Sequence, residues 1–362
     1  MIIFSQQCSE SENESMKAIR VLVVDDSALV RTIIADGLNA DPMIEVVGTA
    51  ADPYAARDKI VELNPDVMTL DVEMPKMDGL EFLRKLMYQY PIPVVMVSAL
   101  TERGKRITIE ALEAGAVDFV SKPKADVVRG LETMMQELRT KVKLASTANV
   151  SHWKNKRSQM PAAVISAPRA LAETTDKIIV IGASAGGTEA IKEVITRFPP
   201  QTPGVVIVQH MPAGFTRLFA ERLNSLSQMA VKEAEDGDRI LPGQILIAPG
   251  GYQMQVARSG GIYRVKVAPG ENVCGHCPSV EVLMQSAALA AGANAVGVIL
   301  TGMGSDGAHG LKAMRDAGAR TIAQDEASCV VFGMPKVAIN TGGVEFICDL
   351  QAIAGKVLNL LS

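Results

Sequence analysis

The chain has 362 residues, more than one hydrophobic core usually serves, so we expect two domains. Its net charge of −4 leaves no basic excess with which to neutralise phosphates, which argues against non-specific nucleic-acid binding. Hydrophobic residues make up 48% of the sequence and aromatic residues only 4%, so the cores are expected to consist of Val, Ile, Leu, Ala and Met.

The N-terminal sequence has none of the features of a signal peptide, and no apolar run approaches the length of a membrane span. Five cysteines are few and odd in number, which argues against a disulfide framework. We therefore expect a cytoplasmic protein. Residues 1–16 are polar after a short apolar start, and we expect them to be a disordered leader in which Met16 is an alternative start.

The first predicted domain spans residues 17–145 and alternates short β-branched runs with segments of helical spacing. Such alternation predicts a five-stranded parallel sheet with helices on both faces. A final helix over residues 125–144 carries a stripe of apolar side chains. The predicted strands are Ile19–Val24, Ile44–Val47, Val67–Leu70, Val94–Val97 and Asp118–Val120.

A segment rich in Ser, Ala, Pro and basic residues, 146–176, breaks this rhythm and is predicted to be an interdomain linker. The second predicted domain, 177–362, resumes the alternation as a doubly wound, mostly parallel α/β domain with an inserted hairpin near residues 254–267. Its predicted strands are Ile178–Ile181, Val205–Val208, Ile245–Ala248 and Ala295–Leu300.

Polar residues follow or end four strands of the first domain: Asp25 and Asp26, Asp71, Ser98, and Lys122. Because parallel strands present their carboxyl ends at one sheet edge, we expect these groups to converge. Clustered carboxylates favour Mg²⁺, and a lysine and a hydroxyl favour a phosphoryl group, so one aspartate is a candidate nucleophile toward phosphorus. Each aspartate alone is equally explained as a turn former or helix cap; the joint placement favours the site.

The segments VLVVDDSALVR, DVEMPKMDGLEFL, VVMVSAL and GAVDFVSKP resemble a response-regulator receiver domain of the flavodoxin-like fold over residues 19–144. The resemblance implies that Asp71 is the phosphoacceptor and that Ser98 and Lys122 contact the phosphoryl group. It also implies that Asp25, Asp26 and Asp71, together with the backbone carbonyl of Glu73, hold Mg²⁺.

A glycine-rich turn, Gly182-Ala183-Ser184-Ala185-Gly186-Gly187, joins the first strand of the second domain to a helix. Such a turn either binds a pyrophosphate or presents a nucleophilic serine as a G-x-S-x-G elbow. The dinucleotide fingerprint requires glycine at position 184, where this chain has serine, so the elbow is favoured.

The elbow needs a base, and the chain offers four histidines: His152, His210, His276 and His309. His210 follows a predicted buried strand and is expected at the same sheet edge as Ser184, whereas His152 lies in the linker and His309 in a predicted helix. Asp306 follows another strand of this domain and is expected to orient the base, although helix capping also explains it.

The segments GASAGG, VQHMP, CPSVEVLMQSAA and TGMGSDGAHGL resemble the catalytic domain of the CheB family, the protein-glutamate methylesterases of chemotaxis, over residues 177–361. The order Ser, His, Asp differs from the Ser, Asp, His order of ordinary α/β-hydrolases. The resemblance implies that Ser184 is the nucleophile, His210 the base and Asp306 its partner. It also implies that the backbone N–H of Met303 contributes to an oxyanion hole.

Two positions depart from the pattern of the resembled family. Ala185 stands where relatives usually have threonine, and Cys274-Gly275-His276-Cys277 stands where basic residues are common. Two cysteines at this spacing bind zinc or cycle between redox states in other proteins, but the chain has no second pair at this spacing. A substituted loop that alters receptor docking is the favoured interpretation.

The resemblance implies a phosphorylation-controlled serine hydrolase that demethylates glutamate methyl esters of chemotaxis receptors and deamidates receptor glutamines during sensory adaptation. It implies that a chemotaxis histidine kinase is the phosphodonor, that the receptors are the substrates, and that the esterase site needs no cofactor. Neither nucleic acid nor membrane insertion is expected. Two other functions stay open from the residues: a receiver-coupled binding protein without catalysis, and a dinucleotide-dependent enzyme.

Overall fold

The computed structural model describes residues 17–74, 77–99, 101–123, 127–154 and 176–361. The predicted leader, up to residue 16, and most of the predicted linker lie outside the described residues. Within these ranges no helix is both long enough and apolar enough to cross a membrane.

The first domain contains a five-stranded parallel sheet of order β2-β1-β3-β4-β5, which confirms the predicted fold. Strands β3 and β4 are buried almost throughout because helices cover both faces of the sheet. The strands are β1 (Ile19–Val24), β2 (Ile44–Ala50), β3 (Val67–Asp71), β4 (Val94–Ala99) and β5 (Asp118–Lys122). The helices are α1 (Ala28–Asn39), α2 (Pro53–Leu63), α3 (Gly79–Gln89), α4 (Glu102–Glu113) and α5 (Val127–Ala145).

Side chains that cap the helices explain where several of them begin. Ser27 accepts a hydrogen bond from the N–H of Val30 at the start of α1, and Asp52 caps α2 directly before Pro53. Asp78 and Thr101 do the same for α3 and α4. These side chains satisfy backbone donors that have no partner inside the helix.

The second domain contains a seven-stranded parallel sheet of order β14-β13-β12-β6-β7-β9-β8 and a separate antiparallel hairpin of β10 and β11, as predicted. Its strands are β6 (Ile178–Ala183), β7 (Gly204–Gln209), β8 (Ala230–Glu233), β9 (Gln244–Ile247), β10 (Gln253–Ser259), β11 (Ile262–Ala268), β12 (Ala295–Ile299), β13 (Arg320–Gln324) and β14 (Phe346–Cys348). Its helices are α6 (Gly187–Ile195), α7 (Phe215–Asn224), α8 (Val280–Ala291), α9 (Ala308–Asp316), α10 (Met334–Asn340) and α11 (Leu350–Leu361).

Strands β12, β6 and β7 are neighbours in the middle of this sheet and are buried at every position. The register pairs Ala183 at the end of β6 with Gln209 at the end of β7. The residues that directly follow these two strands therefore emerge side by side at one edge of the sheet, and the loop after β12 opens at the same edge.

The two domains pack against each other through α4 of the first and α7 of the second. The rings of Phe119 and Phe215 meet across this interface with centroids 4.4 Å apart. Arg222 of α7 donates to both carboxylate oxygens of Glu113, which ends α4. The first domain is therefore held against the second by an aromatic contact and by an ion pair.

The first residues of the predicted linker are packed between the domains. A 3₁₀ turn spans Ser151–Trp153, and Val150 is buried. The backbone N–H of Asn149 donates to the carbonyl of Val330 in the second domain at 2.8 Å. Trp153 lies against Gly115 of the first domain, where an added Cβ would come within 2.9 Å of the indole ring.

Candidate active site and acidic pocket

Aspartates and a lysine meet at the carboxyl edge of the first sheet. Asp25 follows β1 and Asp71 ends β3; both are buried, whereas Asp26 is exposed. Lys122 ends β5, and its Nζ donates to Asp25 Oδ2 and to Asp71 Oδ1, both at 2.8 Å. The sheet topology thus brings together four residues that are separated by up to 97 positions in the chain.

Burial disfavours the charged carboxylate of Asp71 and raises its pKa to about 6, although Lys122 acts in the opposite direction. For Lys122, burial alone would lower the pKa. The charges and hydrogen bonds of Asp71 and Asp25 outweigh the effect of burial, so the pKa of Lys122 lies above its ordinary value. One lysine therefore offsets only part of the negative charge in the pocket.

The donor set of this pocket fits a hard divalent cation. Ligand oxygens of Asp25, Asp26 and Asp71 all lie within 4.8 Å of one another. Mg²⁺ prefers such oxygen ligands and keeps several waters, and it would reduce the repulsion between the carboxylates. Glu73, for which a role through the backbone carbonyl is predicted, lies two residues beyond Asp71 and has an exposed side chain.

Ser98 is fully buried near the end of β4, and its contacts tie it to α4. Its hydroxyl donates to the carbonyl of Gly104 at 3.3 Å, and the hydroxyl of Thr108 lies 2.8 Å from it. Ser98 is thus in direct contact with α4, the helix that packs against the second domain.

Ser184 lies in the turn between β6 and α6, as predicted. Its N–H donates to the carbonyl of Thr301 at 3.0 Å, and its carbonyl accepts from the N–H of Gly187 at 2.8 Å. Gly186 has φ of 73°, a conformation that glycine adopts with little strain. The turn presents Ser184 half-buried at the start of the helix.

His210 follows β7, and its Nε2 lies 2.7 Å from Asp306 Oδ2. Asp306 also accepts from the hydroxyl of Ser279 at 2.7 Å and from the N–H groups of Val280 and Glu281 at 2.8 and 2.9 Å. Burial would raise the pKa of Asp306, but His210 and these donors at the start of α8 outweigh it, and the pKa is lowered. Asp306 is therefore ionised, and Nε2 of His210 carries the proton.

The other ring nitrogen of His210, Nδ1, is buried without a hydrogen-bond partner among the described residues. With the proton on Nε2, the neutral ring has its lone pair on Nδ1. Ser184 and His210 line one cavity of about 610 Å³. The arrangement provides a hydroxyl, an available base nitrogen and an ionised partner for that base.

Met303 lies in the loop between β12 and α9, next to the serine turn. A Cβ added to the neighbouring Gly302 would lie 2.8 Å from Ser184 Cβ, so the two loops are in close contact. Met303 is the next residue, and its side chain is partly exposed. Met303 therefore belongs to a loop that contacts the serine turn through Gly302.

Two family profiles match the chain in the order of its domains. The profile described as response regulator receiver domain matches residues 21–136, and that described as CheB methylesterase matches residues 179–357. A protein-glutamate methylesterase/protein-glutamine glutaminase of Syntrophotalea carbinolica is 66% identical over 347 residues, which are 96% of this chain and 98% of the relative. The chain belongs to the CheB family.

Further relatives agree with this assignment. A protein-glutamate methylesterase/protein-glutamine glutaminase of Sulfurimonas denitrificans is 54% identical over 348 residues, 95% of this chain and 99% of the relative. The crystal structure of the Thermotoga maritima CheB methylesterase catalytic domain is 37% identical in sequence and superposes with a TM-score of 0.50. The match covers 52% of this chain and 100% of the Thermotoga maritima chain. The first domain is thus a receiver domain and the second a CheB methylesterase domain.

Three residues of this CheB-family site were missed in the sequence. Gln209 donates from Nε2 to the carbonyls of Ser184 and His210, at 2.9 and 3.3 Å. Ser279 supports Asp306, and the ring of His276 stacks on that of His210. The position of Gln209 at the end of β7 was a usable signal, whereas the roles of Ser279 and His276 depend on the path of a loop.

The cavity in front of Ser184 is formed by both domains. Receiver residues of β5 and α5, among them Phe119, Gln136 and Lys141, line it opposite Ser184 and His210. The cavity at Ser184 therefore has one wall from the receiver and one from the methylesterase domain.

Proposed function

We propose that the protein is a phosphorylation-controlled protein-glutamate methylesterase that demethylates chemotaxis receptors during sensory adaptation and deamidates specific receptor glutamines. The observation that carries this proposal is the hydrogen bond of 2.7 Å between His210 and Asp306 at a cavity that Ser184 also lines. Relatives that match nearly the whole chain carry both activities in their names.

In the proposed first step, Ser184 Oγ attacks the γ-carbonyl carbon of a receptor glutamate methyl ester while His210 takes the hydroxyl proton. We assign the accepting atom as Nδ1, because Nε2 is hydrogen-bonded to Asp306 and Nδ1 has no hydrogen-bond partner among the described residues. The ionised carboxylate of Asp306 stabilises the positive ring that results. The protonated Nδ1 then returns its proton to the leaving methoxide, which departs as methanol.

The second step regenerates the enzyme. Water loses a proton to Nδ1 of His210 and attacks the acyl carbon; the acyl C–Oγ bond then breaks and Nδ1 returns the proton to Ser184 Oγ, which releases the receptor glutamate and restores the Ser184 hydroxyl and the neutral base. In both steps negative charge develops on the carbonyl oxygen, and we assign its stabilisation to the backbone N–H of Met303. Deamidation follows the same sequence, except that the amide nitrogen takes the proton from His210 and leaves as ammonia; this proton transfer matters more than in ester cleavage, because an amide anion is a much poorer leaving group than methoxide.

Phosphorylation is proposed to act at Asp71, with Ser98 and Lys122 as contacts of the phosphoryl group. Asp25, Asp26 and Asp71, together with the backbone carbonyl of Glu73, would hold Mg²⁺, which neutralises the charge of the incoming phosphoryl group. We propose a chemotaxis histidine kinase as the phosphodonor and the cytoplasm as the place of action.

The receiver is proposed to restrict access to Ser184 until Asp71 is phosphorylated. Phe119 and Lys141 of the receiver line the cavity in front of Ser184. Ser98 contacts Gly104 and Thr108 of α4, and the last residue of α4 pairs with Arg222 of the methylesterase domain. A phosphoryl group that draws the Ser98 hydroxyl away from α4 would therefore weaken the packing that closes the cavity.

The test is methanol release from methylated receptor membranes, with and without a small phosphodonor and Mg²⁺. We expect release by the wild type to rise with phosphodonor, to disappear in Ser184→Ala, and to stay at its basal level in Asp71→Asn. The matched controls are Ser259→Ala and Asp58→Asn, which change an exposed serine and an exposed aspartate that belong neither to the cavity lining nor to the acidic cluster. Removal of Mg²⁺ is expected to abolish the stimulation alone.

A wild type that releases no methanol, and whose Ser184 does not react with a fluorophosphonate probe, would contradict the proposal and favour a binding function. Full turnover in Ser184→Ala would contradict the assigned nucleophile. Full stimulation of Asp71→Asn would contradict the assigned phosphorylation site.

A further inference from the structure

A tight turn places His276 beside His210, the proposed catalytic base. Val273 and His276 exchange two backbone hydrogen bonds, both of 3.0 Å. The residues between them, Cys274 and Gly275, have φ of 52° and 84°, as in a type I′ turn. Val273 to His276 thus form a tight two-residue hairpin turn, and His276 is its last residue.

This hairpin is tied to the residues that support the base. Gln253 donates from Nε2 to the carbonyl of His276 at 3.2 Å and accepts from the N–H of Ser279 at 2.9 Å. Ser279 in turn donates to Asp306. The position of His276 is therefore fixed by the same elements that fix the carboxylate partner of the base.

The ring of His276 lies face to face with the ring of His210. Their centroids are 3.6 Å apart and their planes differ by 13°. A hydrogen bond at Nε2 alone leaves the ring of His210 free to turn about the axis of that bond. A parallel ring in contact with its face hinders this rotation and so limits where Nδ1 can lie.

Charge also favours this pair when His210 is protonated. Titratable groups that act on the His276 ring are His210, Asp306, Lys141 and Asp118. Burial, followed by the charge of His210, lowers the pKa of His276 to about 4, so this ring stays neutral near pH 7. A neutral aromatic face in contact with a cationic ring is attractive, whereas two cationic rings would repel each other.

We propose that His276 is a positioning residue for the base: its neutral ring stacks on His210 and holds Nδ1 toward Ser184 while His210 gains and returns the proton. This inference rests on the proposed hydrolase function. It assigns no contact between His276 and the substrate, so an aromatic ring without nitrogen atoms is expected to replace it.

The experiment compares His276→Phe, His276→Ala and His276→Lys, with His309→Ala, an exposed helical histidine, as the control. For each we would measure kcat and KM for methanol release, the pH profile of kcat/KM, and the rate at which a fluorophosphonate labels Ser184. Labelling needs no receptor, so it tests the stack even if the receptor is not the substrate.

We expect His276→Phe to keep kcat within about threefold, because the stack is retained, and His276→Ala to lose about tenfold or more in kcat and in labelling rate, with KM nearly unchanged. His276→Lys places a permanent charge against His210, and we expect the acid limb of its pH profile to move to lower pH.

Equal activity of wild type and His276→Ala would overturn the proposal. An equal loss in His276→Phe and His276→Ala, with unchanged melting temperatures, would also overturn it, since the nitrogen atoms would then matter rather than the ring. If His276→Ala fails to fold, retained labelling in His276→Phe together with the shifted profile of His276→Lys supports the proposal, and loss in His276→Phe overturns it.

Discussion

Gln209 connects the serine turn to the base with one side chain. Its Nε2 donates to the carbonyls of Ser184 and His210, and Gly187 packs so closely that an added Cβ would lie 2.1 Å from Gln209 Oε1. Gln209 is buried, and its loss would remove both hydrogen bonds, although the Ser184 carbonyl would keep the one from the N–H of Gly187.

We expect Gln209→Leu to lower kcat by about tenfold and Gln209→Glu to lower it further, because a carboxylate would repel both carbonyl oxygens. The measurement is kcat and KM for methanol release together with the melting temperature. Gln255→Leu changes an exposed glutamine of β10 and serves as the control. Wild-type kcat in Gln209→Glu would show that these hydrogen bonds do not position the reacting groups.

The lowered pKa of His276 leads to a prediction about the stability of the fold. Its pKa is lowered to about 4 in the folded chain, from an ordinary value of 6.5. The unfolded chain therefore takes up a proton first, and the stabilisation due to the neutral ring is complete above the unfolded pKa and lost as the pH falls through the folded pKa. We expect the melting temperature of the wild type to fall more than that of His276→Phe between about pH 7 and pH 4. Parallel falls would contradict this.

Residue chemistry in the sequence was sufficient to predict which groups meet at each sheet edge, because strand ends fix those positions. Ser184 and His210 each directly follow a buried strand, and the structure places both at one cavity. His276 follows no strand, and its position depends on a turn with two positive φ values. One of these values belongs to Cys274, a residue type that gives no sequence signal for such a turn.

At the scale of elements, buried β-branched runs predicted nearly every central strand to within about three residues. Strands β8, β13 and β14 were missed. The first and last have only 4 and 3 residues and lie at the sheet edges, and β13 carries Arg, Thr and Gln among its five residues. Short or polar strands are specified by pairing with a neighbour, which composition alone does not record.

Residues 146–154 of the predicted linker contact both domains. Asn149 is bonded to Val330, and Val330 packs against Gly186, where an added Cβ would come within 2.6 Å of the valine side chain. Gly186 directly precedes the helix that follows Ser184. Trp153 holds the other end of this segment against Gly115 and thereby joins the receiver to the serine turn.

We expect Trp153→Ala to raise basal methanol release severalfold and to reduce the stimulation by phosphodonor, because loss of the indole removes part of the packing that holds the receiver in place. The measurement is release with and without phosphodonor. Lys154→Ala, which changes the exposed neighbour, is the control. An unchanged ratio between the two conditions would show that this contact does not contribute to inhibition.

At the scale of the whole molecule, the decisive feature is the face that the receiver presents to the methylesterase domain. Each domain's fold is predictable from its own pattern, but the cavity in front of Ser184 has walls from both. Its receiver wall includes Phe119, which packs on Phe215 of α7. The sequence pattern of either domain does not predict this contact, because the contact depends on how the two folded domains pack against each other.

The ion pair between Glu113 and Arg222 offers the sharpest test of that fit. Nε and Nη2 of Arg222 lie 3.1 to 3.2 Å from the carboxylate oxygens of Glu113, whose side chain is largely buried. The hydrogen bonds to Glu113 raise the pKa of Arg222. Paired charges in this geometry attract, and the same two positions with like charges would repel each other and open the interface.

We expect Arg222→Glu and Glu113→Arg each to raise basal methanol release about fivefold or more, and the double exchange to restore low basal release because it restores an opposite pair. High salt is expected to raise the basal release of the wild type in the same direction. Arg320→Glu is the matched control, since Arg320 forms a similar two-point ion pair with Glu345 inside the methylesterase domain. Basal release that rises in the double exchange as much as in the single variants would show that side-chain size, and not charge, holds the receiver against the active site.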